Sequence, residues 1–138
     1  MLESLYRLCA HDPLSGAYSP QHYSIMRERE VSRSRRFETP LAELVISLVA
    51  SPGQDATEEE ICWTFGRILR RECRTADILG KTAEATFAVL LPHTGKEGLK
   101  LALDRYRQML TLSTPGHLQG IQVNLSGELL IHMPSSDA

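Results

Sequence analysis

The residue pair with the most specific chemistry in this 138-residue chain is Arg74 and Asp77, three positions apart. An arginine presents a planar fork of N–H donors, and guanine offers two acceptors, N7 and O6, that such a fork can bind together. A carboxylate accepts hydrogen bonds, so it can bind the N1–H and N2–H₂ donors of the same base. Because bonds between charged groups are among the stronger hydrogen bonds, the pair can hold a guanine on two edges, or one guanine and one phosphate.

The same spacing has a simpler explanation. An Arg and an Asp at a helix end commonly form a surface ion pair, and such pairs contribute little to stability. Only three of the 15 basic residues are lysines, so with this many arginines an Arg-x-x-Asp sequence can also arise by chance. Arg70 and Arg71 lie one helical turn before Arg74, within reach of a phosphate bound there. From these residues alone, ligand binding and a plain ion pair are both open.

Composition excludes several other kinds of chemistry. The five histidines and three cysteines have no metal-binding spacing, and the sequence contains neither a phosphate-binding glycine loop nor a Gly-x-Ser-x-Gly motif. A formal net charge of −2 argues against a nucleic-acid polymer as partner. No apolar run approaches the roughly 20 residues of a membrane span, and an odd number of cysteines without a secretory signal fits the reducing cytosol. We therefore expect a cytoplasmic domain with no membrane insertion, metal or cofactor.

The first half of the chain predicts helices around one central strand. Hydrophobic spacing, helix caps and β-branched runs identify these elements. They are a short helix in residues 1–10, an arginine-rich helix from Pro20 to about Arg36, a buried strand from Leu41 to Ala50, and a helix from the capping box Thr57-x-x-Glu60 to about Arg74.

The second half predicts a β-hairpin followed by a helix and more strand. Ile78-Leu79 and Thr86 to Leu91 are strands around a polar turn, and Thr94-x-x-Glu97 is a second capping box before a helix. Gly120 to Met133 predicts one or two last strands around Gly127-Glu128. The element order predicts a single α/β (α+β) domain over residues 1–138, with helices packed on a mixed central sheet.

The predicted hairpin resembles the signature segment of the bacterial diguanylate cyclase family, the GGDEF domains. In that family a Gly-Gly-Asp/Glu-Glu-Phe turn joins two strands, and many members carry Arg-x-x-Asp five residues before the turn. Arg74 and Asp77 have the family spacing. The resemblance covers about Leu5 to Leu125 and implies a nucleotide-cyclase-like fold. The five positions of the turn here are Ala83, Glu84, Ala85, Thr86 and Phe87, so only the phenylalanine is shared.

The resemblance also implies that the catalytic residues are lost. A diguanylate cyclase joins two GTP molecules by phosphoryl transfer, which needs divalent metal ions held by carboxylates. By alignment, the family's Asp-x-Asp on the first strand is Ser47-Leu48-Val49 here, and the acidic metal ligand of the turn is Ala85. The glycine pair that lets the substrate approach is replaced by Ala83 and Glu84, and Glu84 would repel phosphate. We therefore expect a degenerate domain that is not an enzyme and binds no metal.

What the resemblance implies in place of catalysis is a ligand site. In the family, Arg-x-x-Asp belongs to an inhibitory site that binds the product, cyclic di-GMP, and an arginine on the next helix assists it. The predicted ligand-binding residues here are Arg74, Asp77, Arg105, Arg70 and Arg71. We expect a cyclic di-GMP receptor of the bacterial cytoplasm that acts on a protein partner or through self-association. The alternative is a ligand-free structural or interaction domain. The family's final helix has no counterpart here, and the chain can be a module of a larger protein.

Overall fold

Helices and strands alternate through the part of the chain that the structure, a computed structural model, describes, which is residues 10–132. The helix predicted in residues 1–10 lies outside this part except for Ala10. The elements that lie wholly within it are, in chain order, α1 (Pro20–Arg36), β1 (Leu41–Ala50), α2 (Glu58–Glu72), β2 (Ile78–Ala83), β3 (Thr86–Pro92), α3 (Lys96–Ser113), a 3₁₀ helix (Gly116–Leu118) and β4 (Ile121–Ile131).

The four strands form one sheet in the order β2-β3-β1-β4. The α+β fold class is confirmed, but the expected mixed sheet is wrong, because each neighbouring pair of these strands is antiparallel. β1 and β2 run in the same direction, as a helical crossover requires. They do not pair, however, because the β2–β3 hairpin folds β3 back into the space between them. This is the βαββαβ arrangement of a split βαβ unit.

Local sequence signals fixed most element ends correctly. α1 and β1 have the predicted bounds, and the Ser19 and Thr57 side chains cap α1 and α2 by accepting from the backbone N–H groups of His22 and Glu60. β4 is one continuous strand that passes through Gly127-Glu128. The predicted capping box at Thr94 is wrong, since α3 begins after Gly95 without a side-chain cap.

The sheet is covered on both faces, and each face has its own apolar cluster. Leu44, Ile46 and Leu48 of β1 belong to the larger cluster, which also contains buried side chains of α2 and α3. Because successive strand residues point to opposite faces, Leu41 and Glu43 face α1 instead. α1 packs closest on β2, where a Cβ at Gly80 would collide with the Tyr23 ring, so this position requires glycine.

A buried carboxylate anchors α1 to the sheet. Glu43 of β1 is only 6% exposed. Its Oε2 accepts a hydrogen bond from the Tyr23 hydroxyl at 2.6 Å and another from Arg27 Nε at 2.9 Å, and Arg27 Nη2 donates to Oε1 at 3.3 Å. A buried charge is tolerated when hydrogen bonds and an opposite charge compensate for its lost hydration, as they do here.

Arg27→Ala should therefore destabilise the domain by about 2 kcal/mol, because Glu43 would keep its charge in a buried position with only the Tyr23 hydroxyl as partner. Urea denaturation measures the change. Arg29→Ala, an exposed arginine on the same helix, is the matched control and should change stability by less than about 0.5 kcal/mol. Equal effects of the two substitutions would contradict an anchoring role for Arg27.

Candidate functional site

The hairpin turn between β2 and β3 is closed by two residues, Glu84 and Ala85. Ala83 pairs with Thr86 across the turn, and Ala85 has a φ of 49°, a left-handed conformation that glycine adopts more readily than alanine. The Ala85 carbonyl accepts a hydrogen bond from the backbone N–H of Leu48 at 2.9 Å, which fixes the turn to β1. The turn thus keeps a defined geometry although its sequence has no glycine.

The positions predicted to be a degenerate active site come together at this end of the sheet. Ser47 lies opposite Thr86 of β3 and Asn124 of β4 in the strand register. Phe87, the one shared residue of the turn, is fully buried in the larger apolar cluster, so its role here is packing. Within residues 10–132, no group of three or more His, Cys, Asp or Glu side chains is arranged to hold a metal ion.

A carboxylate from another element reaches the turn. Glu58, the first residue of α2, accepts three hydrogen bonds on its Oε1 atom. The donors are the backbone N–H of Ala85 at 3.1 Å, the Cys62 thiol at 3.0 Å and the Lys81 ammonium at 3.2 Å. Lys81 also lies 3.9 Å from an Asp12 carboxylate oxygen. We define Glu58, Lys81, Cys62 and Ala85 as the turn cluster.

The turn cluster changes the acidity of its members. Burial acts to raise the pKa of Glu58, but the hydrogen bonds from Cys62, Lys81 and Ala85 outweigh it and hold that pKa below its usual value. Burial, together with the hydrogen bond to Glu58, raises the pKa of Cys62 to about 11. Near neutral pH the cluster therefore contains a carboxylate, an ammonium and a neutral thiol, and Cys62 lacks the thiolate character of a nucleophile.

The predicted ligand residues Arg74 and Asp77 meet at the junction of α2 and β2, where they bond to each other. The backbone N–H of Arg74 donates to Asp77 Oδ2 at 2.8 Å, and its Nε and Nη2 donate to Oδ1 at 3.1 and 2.9 Å. Nη2 also donates to the Thr94 hydroxyl at 3.1 Å. The Arg74 side chain is 49% exposed, whereas that of Asp77 is fully enclosed.

Arg105 of α3 lies beside this junction. Its Nε forms a 2.7 Å ion pair with Glu72, at the end of α2, and its guanidinium lies 5.4 Å from the Tyr106 ring centre. The Tyr106 hydroxyl in turn contacts Cys73 Sγ at 3.6 Å, next to Arg74 in the chain. Arg105 thus pairs with Glu72, two residues before Arg74 in the chain. We call Arg74, Asp77, Thr94 and Arg105 the Arg74 corner.

Arg70 and Arg71 line a different surface. Together with Arg67 they border a shallow groove of about 260 Å³ on α2. The Arg70 guanidinium lies over Gly16, where an added Cβ would collide with it, so this side chain turns toward the loop at residues 12–16. Arg67, Arg70 and Arg71 thus form an arginine groove on α2, which ends two residues before Arg74.

Sequence reasoning missed two contacts of these sites. Thr94 was interpreted as a helix cap, but its hydroxyl accepts from Arg74 and donates to the Pro92 carbonyl at 3.0 Å. Glu58 lies inside the predicted capping box Thr57-x-x-Glu60, and nothing in that pattern singles it out. Its bond to Ala85 joins residues 27 positions apart, and no local pattern signals such a contact.

Solved structures with the same fold are GGDEF proteins. A DGC protein from Thermotoga maritima has a TM-score of 0.71 at 21% identity, with 92% of this chain and 93% of that chain covered. The coiled-coil and GGDEF domain of DgcB from Caulobacter crescentus, solved in complex with c-di-GMP, has a TM-score of 0.80 at 16% identity, covering 93% and 73%. Diguanylate cyclase SiaD from Pseudomonas aeruginosa, solved with its activator SiaC, has a TM-score of 0.76 at 18% identity, covering 93% and 52%.

These likenesses establish the fold. No protein-family model matches the sequence, and no curated protein matches it either. All three identities are below one quarter, but the alignments include nearly all of this chain. The chain therefore has the fold of GGDEF domains, as the hairpin resemblance implied. Among the described residues, no helix is both long and apolar enough to cross a lipid bilayer.

The lowered pKa of Glu58 predicts a pH-dependent contribution to stability. A carboxyl group whose pKa is lower in the folded state stabilises that state most above its usual value of 4.5, and the stabilisation is lost as the pH falls below it. Wild type should exceed Glu58→Gln in stability by up to about 1 kcal/mol at pH 7, since the carboxylate is partly exposed, and the gap should narrow towards pH 3.5.

Chemical denaturation of both proteins at several pH values measures this gap. Glu59→Gln is the matched control, because Glu59 occupies the same helical turn but is exposed. Its difference from wild type should be smaller at pH 7 than that of Glu58→Gln. A gap between wild type and Glu58→Gln that stays constant from pH 7 to pH 3.5 would show that the contacts of the turn cluster do not stabilise the ionised carboxylate.

Proposed function

We propose that the chain is a non-catalytic GGDEF-type domain that binds cyclic di-GMP at the Arg74 corner and regulates a protein partner or a second copy of itself. The observation that carries this proposal is the placement of Arg74. Its guanidinium is half-exposed at the end of α2, held in one orientation by Asp77 and Thr94, with Arg105 on the adjacent helix. DgcB, which has the same fold, was solved with this nucleotide bound.

We propose different tasks for Arg74 and Asp77, and the geometry of the corner supports this division. Among the described residues, the side-chain bonds of Arg74 use Nε and Nη2, which leaves Nη1 to donate to a guanine or a phosphate. The Asp77 carboxylate is enclosed and directed at Arg74. In this arrangement Asp77 is a positioning residue that fixes the guanidinium plane, and Arg74 makes the ligand contact. A fixed guanidinium loses less side-chain entropy when it binds.

The residues at the hairpin turn support the absence of cyclase activity. Ser47 and Ala85 stand where metal-binding carboxylates are expected, and neither supplies a carboxylate for Mg²⁺. Phosphoryl transfer depends on metal ions to neutralise the developing charge. The Glu58 carboxylate adds a negative charge beside the turn, which opposes the approach of a triphosphate. The domain therefore binds a product-like nucleotide and does not make it.

One observation favours a second function. Each charged residue of the Arg74 corner already has a partner within the chain, Arg74 with Asp77 and Arg105 with Glu72. Such closed pairs are typical of surface ion pairs that bind no ligand. The second candidate is therefore a ligand-free domain that kept the fold as a protein-interaction or dimerisation surface. Binding measurements separate the two functions directly.

Isothermal titration calorimetry with cyclic di-GMP tests the receptor function. Wild type should bind, and Arg74→Ala should weaken binding by about 10- to 100-fold, because a hydrogen bond from a charged group such as Nη1 of Arg74 contributes about 1.5–3 kcal/mol. Asp77→Asn should weaken binding less, since the amide oxygen still accepts from Arg74. Arg29→Ala, which removes an exposed arginine from α1, should leave the affinity unchanged.

Two outcomes of this titration contradict the assignment at different levels. If wild type binds no cyclic di-GMP, the receptor function is wrong and the ligand-free interaction domain takes its place. If Asp77→Asn weakens binding as much as Arg74→Ala, the nucleotide is recognised by Asp77 directly, and the positioning role is wrong while the receptor function stands.

The absence of catalysis has its own test. Incubation of the protein with GTP and Mg²⁺ or Mn²⁺ should give no cyclic di-GMP by chromatography, because the two metal-binding positions are Ser47 and Ala85. An active diguanylate cyclase assayed in parallel controls for the conditions. Formation of the cyclic product by the wild-type chain would show that other residues hold the metal, and the non-catalytic assignment would be withdrawn.

A further inference from the structure

We infer that the hairpin turn is an oxyanion-binding cradle that the chain fills with its own Glu58 carboxylate. The inference goes beyond the binding of cyclic di-GMP and does not depend on it. It concerns the turn cluster at the far end of α2 from the Arg74 corner. Its consequence is that no phosphate group is accepted at the turn, so a nucleotide that binds this domain must bind elsewhere.

The donors around Glu58 are those that bind phosphate in proteins. One is a backbone N–H, from Ala85, in a turn with left-handed φ, and one is the ammonium group of Lys81. The dipole of α2 adds to their attraction, because Glu58 is the first helical residue and negative charge is favoured there. A backbone N–H group in a turn and a lysine are both recurring partners of phosphate.

Three donors converge on one atom. The Ala85 N–H, the Lys81 ammonium and the Cys62 thiol all lie 3.0–3.2 Å from Oε1 of Glu58. Ala85 is partly buried, and the Lys81 side chain is only 15% exposed. Without the carboxylate the Ala85 N–H would lose this acceptor, and Lys81 would keep only the more distant Asp12 carboxylate as a partner. The position therefore favours an anion, and Glu58 supplies one from within the chain.

The charges around the turn oppose any external anion while Glu58 is present. Asp12, Glu58 and Glu84 border the same groove of about 340 Å³, and Lys81 is the single cation that borders it among the described residues. Three carboxylates against one ammonium repel a phosphate. Removal of Glu58 leaves the cradle open, and neutralising Glu84 as well leaves Lys81 balanced by Asp12 alone.

The experiment measures thermal unfolding with inorganic phosphate against sodium chloride of equal ionic strength. The main variant is the double substitution Glu58→Ala with Glu84→Gln. Its melting temperature should rise by about 2–4 °C in phosphate, because a ligand that binds only the folded state stabilises it. Wild type, and Glu59→Ala with Glu84→Gln as the matched control, should shift by less than about 1 °C. Adding Lys81→Met to the main variant should abolish the gain.

A second measurement locates the bound anion. In a phosphate titration followed by nuclear magnetic resonance, the Ala85 amide signal should move in the main variant and stay fixed in wild type.

If Glu58→Ala prevents folding, Glu58→Ser, which suits the first turn of a helix, replaces it. No phosphate response in the folded double variant, or an equal response in wild type, would overturn the inference. Cyclic di-GMP is absent from both assays and Arg74 is unchanged, so this result is independent of the receptor function.

Discussion

The pairing of β3 with β1 is the constraint on which both sites depend. It places β3 between β1 and β2, so the helix that connects those two strands must run along the sheet and pass over β3. α2 has 15 residues, which corresponds to about 22 Å. Its first residue reaches the hairpin turn at Ala85, and the chain just after its last turn reaches Thr94 beyond the end of β3. The same helix therefore ends at the turn cluster and at the Arg74 corner.

The two ends of α2 handle charge in different ways. At the N-terminal end the carboxylate of Glu58 faces a backbone N–H and a cation, and the helix dipole adds to the attraction. At the C-terminal end the Arg74 guanidinium is more exposed than its acidic partner. An enclosed acid with an exposed base presents positive charge to solvent, whereas the turn presents acids. This difference in exposed charge favours the corner over the turn for the anionic ligand that we propose.

Sequence predicted the features that neighbouring residues determine. The ends of α1 and β1 follow from a Ser-Pro start and an apolar run, which are local signals. The prediction that Thr94 caps α3 was wrong, because the Thr94 hydroxyl bonds to Arg74, a tertiary contact that outweighs the local capping pattern. The direction of strand pairing and the Glu58–Ala85 bond were not accessible either, because both depend on where the hairpin lies relative to β1. The contact between Arg74 and Asp77 was predictable from their spacing. The spacing did not show that the Arg74 side chain is exposed while the Asp77 side chain is enclosed.

The hairpin contains both residues that pack in the core and residues that do not. Phe87 and Val89 pack into the larger core, so replacing either with a small residue would leave a cavity. Ser47, Ala83, Glu84 and Thr86 lie outside that cluster, and changing their chemistry disturbs no packing within it. Ala85 lies between these cases: its left-handed φ is unfavourable for alanine, but bonds of its carbonyl to Leu48 and its N–H to Glu58 hold the turn. Those two bonds stabilise a turn conformation that glycine would adopt with less strain, and the second of them places the Glu58 carboxylate at the turn.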